Sequence, residues 1–112
     1  NNTSEKEEKE EESGFTVEFY IETEESTVIE SIKFKDENGD WVEVSKPDWD
    51  WSEKVTIPEG GEVAIEVSGT AQALVKVGYI AEKGIITRKM AKSKGGDGNF
   101  FSFDISISKV LE

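Results

Sequence analysis

Phe15-Thr16-Val17-Glu18-Phe19-Tyr20-Ile21-Glu22 alternates strictly, with Phe15, Val17, Phe19 and Ile21 on one side of an extended chain and Thr16, Glu18, Tyr20 and Glu22 on the other. Period two is the pattern of a strand with one dry face and one wet face. The same pattern recurs downstream. Val28, Ile32 and Phe34 fall in phase within Thr27 to Lys35. Asp36-Glu37-Asn38-Gly39-Asp40 then supplies hairpin-turn chemistry before Trp41, Val42 and Val44, because Asn-Gly tolerates positive φ. Val55 and Ile57 form a short strand ended by the turn Pro58-Glu59-Gly60-Gly61.

Val63, Ile65 and Val67 alternate, and Ser68-Gly69-Thr70 is expected to interrupt. Ala73, Val75, Val77 and Tyr79 then resume one face, Glu82-Lys83-Gly84 connects to a strand from Ile85 to Met90, and residues 92–99 read as a Gly-rich polar loop. Phe101, Phe103, Ile105 and Ile107 close the pattern. Seven or eight short strands at this spacing, with no helical period, predict an all-β fold: an antiparallel, immunoglobulin-like β-sandwich.

Composition sets the domain plan. A chain of 112 residues suits one domain with one core. Residues 1–13 contain no apolar side chain and carry six glutamates against Lys6 and Lys9. Burial cannot offset the ordering entropy of such a segment, so it is expected to be a disordered acidic linker, with a single domain over residues 14–112. The remaining 19 acidic and 11 basic residues leave the domain itself acidic. Nucleic acid is an unsuitable partner, since phosphate binding needs clustered cations.

The absence of His and Cys removes the usual general base, thiolate chemistry and the common zinc ligands together. No enzyme activity and no cofactor are expected. Carboxylates are abundant, but most acids sit solvated on outer faces. Glycan hydrolysis, which needs two carboxyls about 5–9.5 Å apart in a cleft, therefore ranks last among the functions considered. Asp36, Asn38 and Asp40 have the first spacings of a calcium loop, yet Trp41 stands where its Gly should be and Pro47 where its Glu should be, so the run reads as a turn and no metal site is expected. Gly95-Gly96-Asp97-Gly98 precedes a strand, not a helix with Lys, and cradles no phosphate.

Two groups remain as candidate partner-binding residues. Trp41, Trp49 and Trp51 fall within eleven residues and offer rigid platforms for a sugar or a protein. Of these, Trp51 is expected to plug the end of the sandwich and Trp49 to be exposed. Arg88, Lys89, Lys92 and Lys94 gather positive charge in an acidic chain, either as a receptor for an anionic partner or as a solvated hairpin.

The segments Ser31-Ile32-Lys33-Phe34-Lys35-Asp36-Glu37-Asn38-Gly39, Trp51-Ser52-Glu53-Lys54-Val55-Thr56, Val63-Ala64-Ile65-Glu66-Val67 and Ala73-Leu74-Val75-Lys76-Val77-Gly78-Tyr79-Ile80 together resemble the MmpS-type accessory proteins. These are small extracytoplasmic β-sandwich domains associated with membrane transporters. The resemblance spans residues 27–91; the family's transmembrane anchor and frequent cysteine pair are not matched in this sequence. The acidic start resembles the linker of a bacterial lipoprotein whose lipidated Cys would precede Asn1.

The resemblance implies an extracytoplasmic location, at the cell envelope or secreted, with membrane attachment only through a lipid anchor outside the given sequence. The expected function is a non-catalytic binding or accessory module making protein-protein contacts with an envelope protein or transporter. The alternative is a carbohydrate or small-ligand binding sandwich that uses exposed Trp.

Overall fold

The computed structural model describes residues 14–45, 47–96 and 98–112. The acidic segment read as a linker, residues 1–13, lies outside them. Eight strands follow in order: β1 (Gly14–Glu22), β2 (Val28–Lys35), β3 (Trp41–Glu43), β4 (Ser52–Pro58), β5 (Glu62–Ala71), β6 (Val75–Lys83), β7 (Ile86–Lys94) and β8 (Phe101–Val110). They form two four-stranded antiparallel sheets, β4-β1-β6-β7 and β3-β2-β5-β8. The result is an all-β, antiparallel β-sandwich in which the first two strands lie in opposite sheets.

The opening run behaves as its alternation dictates. Phe15, Val17, Phe19 and Ile21 of β1 are buried, and they meet Ile32, Phe34, Val63, Ile65, Val67, Phe103, Ile105 and Ile107 of the other sheet in one core. The Phe19 and Phe34 rings pack at 5.3 Å between centroids, and Trp51 packs on Phe34 at 5.7 Å, both pairs tilted at 38°. Each large side chain so buried contributes about 1.5–3 kcal/mol, which makes this core the dominant stabilising term.

Three readings of the sequence change in the folded chain. Val28 is exposed while Ile29 and Ile32 are both buried, because the β2–β5 register shifts between Ile29 and Ser31. One inserted residue flips the face of everything before it, so simple alternation back from Phe34 assigns Val28 to the wrong side. Ser68-Gly69-Thr70 does not interrupt its strand: β5 runs unbroken to Ala71, paired with β2 on one side and β8 on the other. Gly69 faces the bulge, where an added Cβ would lie 2.2 Å from the Val28 carbonyl oxygen. Here glycine marks a close approach of two backbones rather than a strand end. Similarly, β7 extends past Met90 through Lys94, since Val75, Lys76 and Val77 of β6 supply partners for Lys94, Ser93 and Lys92.

The Asp36 turn resolves as expected from its residues. The Asp36 carboxylate accepts hydrogen bonds from the backbone N–H of Asn38 (2.9 Å) and Asp40 (3.0 Å), and Gly39 takes φ +80°. One carboxylate oxygen is thus committed to holding the turn.

Exposed sheet edges invite pairing with other chains, and each edge here is blunted. β3 is only three residues long and β4 ends at Pro58. β7 presents Lys and Arg along its length, and its lysines also cover the neighbouring edge: Lys92 Nζ donates to the Ser106 carbonyl at 2.9 Å and Lys94 Nζ to the Ser102 carbonyl at 3.0 Å. The long side chains of one sheet thereby close the open side of the sandwich over β8.

Candidate functional site

The seven residues singled out in the sequence divide between opposite edges of the sandwich. β3 and β4 border one side, with the tryptophans on or between them; β7 and β8 border the other, with the cations. Tryptophans and cations therefore do not build one site.

On the cationic side, Arg88, Lys89, Met90 and Tyr79 meet Ser108, Lys109, Val110, Leu111 and Glu112 around an open groove of about 560 Å³. Alternation on β7 turns Arg88, Lys92 and Lys94 towards β8, and Arg88 donates to the Glu112 carbonyl at 3.3 Å. Lys92 and Lys94, engaged with β8 carbonyls, serve the fold first. The Lys94 ammonium also lies 5.7 Å from the Phe101 ring centroid. Lys109, which the sequence reading passed over, joins Arg88 and Lys89 because β8 runs antiparallel to β5 and ends at the same end of the sandwich as the β6–β7 hairpin. Nothing in its own neighbourhood of sequence signals this.

The ion pairs among the described residues join Lys35 to Glu62, Lys76 to Glu22 and Lys83 to Glu59. Arg88, Lys89 and Lys109 form no ion pair with an acidic side chain among those residues; all three are exposed, with Glu112 lining the same groove and its main-chain oxygen accepting from Arg88. Ile85, fully exposed at the hairpin tip, and the partly exposed Ile86 and Val110 add apolar surface at the same end. Tyr79, 2% exposed, closes the groove from below, and burial pushes its phenol up from the ordinary range.

On the other side the three tryptophans differ. Trp51 packs against the core through Phe34, as a structural plug. Trp49, the one expected to be exposed, is half-buried, with its backbone N–H bonded to the Asp48 carboxylate at 2.7 Å. Trp41 is instead the open one, 48% exposed on the outer face of β3, a three-residue edge strand with β2 on one side of it. Its register partner Lys35 places an ammonium 5.4 Å from the indole centroid while donating to Glu62 Oε1 at 2.6 Å. The Lys35 ammonium and the Ser108 hydroxyl hold the Glu62 carboxyl below its ordinary pKa.

Next to Trp41, Lys33, Glu43 and Glu66 line a depression of about 360 Å³, and Ser31, Ser68 and Asp104 continue it with Lys33 and Glu66 across the sheet. Among the described residues no group of three or more acidic side chains is placed to hold a metal ion. Comparison with protein-family models, with curated proteins and with solved structures gives no match.

Proposed function

We propose that this chain is a non-catalytic extracytoplasmic binding module that makes protein-protein contacts at the cell envelope, with the β7–β8 groove as its docking surface and an acidic segment of an envelope protein or transporter as its partner. The observation that carries this reading is a set of three cations, Arg88, Lys89 and Lys109, which form no ion pair with an acidic side chain among the described residues, in a chain of net charge −12, and line a groove edged by exposed Val110. An acidic overall field repels most acidic proteins, so a local cationic groove selects for a partner that presents its carboxylates at one place. Ile85 and Ile86 beside it supply the apolar anchor that charge alone lacks. Catalysis is not part of the proposal, since the chain holds neither His nor Cys. The envelope location and the accessory role come from the resemblance to MmpS-type domains and lipoprotein linkers.

The test is a photo-crosslinking amino acid placed at Ile85 in cells, with the adducts identified by mass spectrometry, and repeated with Arg88→Glu/Lys89→Glu. An envelope-protein adduct, crosslinked through an acidic segment and lost on charge reversal, supports the reading. Adducts that persist unchanged after charge reversal, or none at all, refute it.

A further inference from the structure

We infer that the outer face of the β3-β2-β5-β8 sheet is a second, independent ligand site, a platform for a neutral oligosaccharide with Trp41 as its stacking residue. An indole that is 48% exposed on a polar sheet face leaves apolar surface in water, and here the ring is also held. Lys35, tied to Glu62 at 2.6 Å, lies 5.4 Å from the indole centroid and restrains it before any ligand arrives. A pre-positioned aromatic surface loses little side-chain entropy when a sugar ring stacks its C–H face on it.

The polar groups beside Trp41 match hydroxyl recognition. Lys33 stands opposite Glu43 on one neighbouring strand and Glu66 on the other, and forms an ion pair with neither. Ser31 stands opposite Ser68, and Ser68 opposite Asp104. Carboxylates accept from sugar hydroxyls and the ammonium donates to them, so one row offers both senses of hydrogen bond.

The depressions shared by Lys33 and Glu66 continue from Trp41 on β3 to Asp104 on β8. Four strands at about 4.8 Å spacing give a path roughly 14 Å long, suited to a short oligosaccharide rather than a single ring. Charge decides the class: Glu43, Glu66 and Asp104 against Lys33 leave the platform negative, which disfavours uronic-acid polymers and admits neutral sugars.

The experiment is an NMR titration of the ¹⁵N-labelled chain with cellohexaose, mannohexaose and chitohexaose, and with hexagalacturonate as the anionic control. The expected result is that at least one neutral hexamer moves the Trp41 indole N–H and the amides of Lys33, Glu66 and Asp104. Trp41→Ala and Glu66→Gln, each checked for a folded spectrum, then weaken that binding roughly tenfold or more. Arg88→Glu/Lys89→Glu leaves it unchanged within about twofold, because the groove lies at the Ser108–Glu112 end of the chain and the platform meets β8 at Asp104, on the order of 13 Å further along the strand, and so separates this site from the docking groove. No shifts at millimolar sugar, shifts centred away from Trp41, or an equal response to hexagalacturonate overturns the assignment.

Discussion

Gly69→Ala measures how tightly the β2 bulge is built. A Cβ at this position would lie 2.2 Å from the Val28 carbonyl oxygen, 3.1 Å from Ile29 Cα and 3.0 Å from Phe103 Cζ. The first two are backbone atoms of a paired strand, so relief requires moving β2 away from β5 by about 1 Å, which disturbs their ladder as well as the packing of Phe103. Overpacking of this kind costs about 3 kcal/mol. For a domain of this size that corresponds to a fall in Tm of roughly 10–20 °C. Gly39→Ala is the control: nothing lies within 4 Å of its added Cβ, and only φ +80° is unfavourable, so it costs about 1 kcal/mol. Thermal and urea unfolding followed by circular dichroism and tryptophan fluorescence reads both variants, with an unchanged m-value expected. A Gly69→Ala Tm within about 3 °C of the parent, or smaller in effect than Gly39→Ala, refutes the reasoning about the bulge.

Four further outcomes follow from the geometry. Because Glu62 has a depressed pKa, its contribution to stability is present above the unfolded-state value and is lost as pH falls through the folded value; Lys35→Met should flatten that part of the acid unfolding curve, and an unaltered curve would count against the coupling. Tyr79 is shifted the other way, so its contribution is complete below the unfolded-state phenol pKa and is lost as pH rises through the folded one; Tyr79→Phe should remove this alkaline loss, seen as a smaller drop in urea midpoint at high pH. Replacing Lys92 and Lys94 by Val uncovers the outer edge of β8 and should increase self-association in sedimentation velocity, whereas a strictly monomeric variant would mean the lysines do not guard that edge. Phe19→Ala removes a fully buried ring packed on Phe34 and should cost about 3–5 kcal/mol in urea unfolding, a large share of the stability of so small a domain; a loss under about 1 kcal/mol would be incompatible with the core described above.

The strands were legible because burial on one face imposes period two on the chain, and the runs at Phe15–Ile21 and Phe101–Ile107 carry that period without a break. The turn at Asp36 was legible for a local reason as well: a short acid bonds the backbone N–H groups that follow it, and Gly39 supplies positive φ. Exclusions drawn from missing residue types, such as the lack of His and Cys, needed no fold at all. The candidate sites were only half legible. The sequence marked Arg88, Lys89, Lys92 and Lys94 as one group, but the fold commits Lys92 and Lys94 to β8 carbonyls and adds Lys109 from another strand.

Trp41, Trp49 and Trp51 are chemically alike in sequence, and their spacing does not say which will be covered. That depends on what the fold sets against each: the core ring of Phe34 for Trp51, and for Trp41 an outward-facing place on an edge strand flanked by β2 on one side. The inserted residue in β2 and the close approach at Gly69 were hidden for the same reason, since each is a relation between two strands distant in the chain. Alternation, turns and absent chemistries are properties of a few neighbouring residues, and the sequence determined them. Which cations are free, which indole is open and where a strand changes phase are decided by pairing across sheets, and only the tertiary structure brings those partners together.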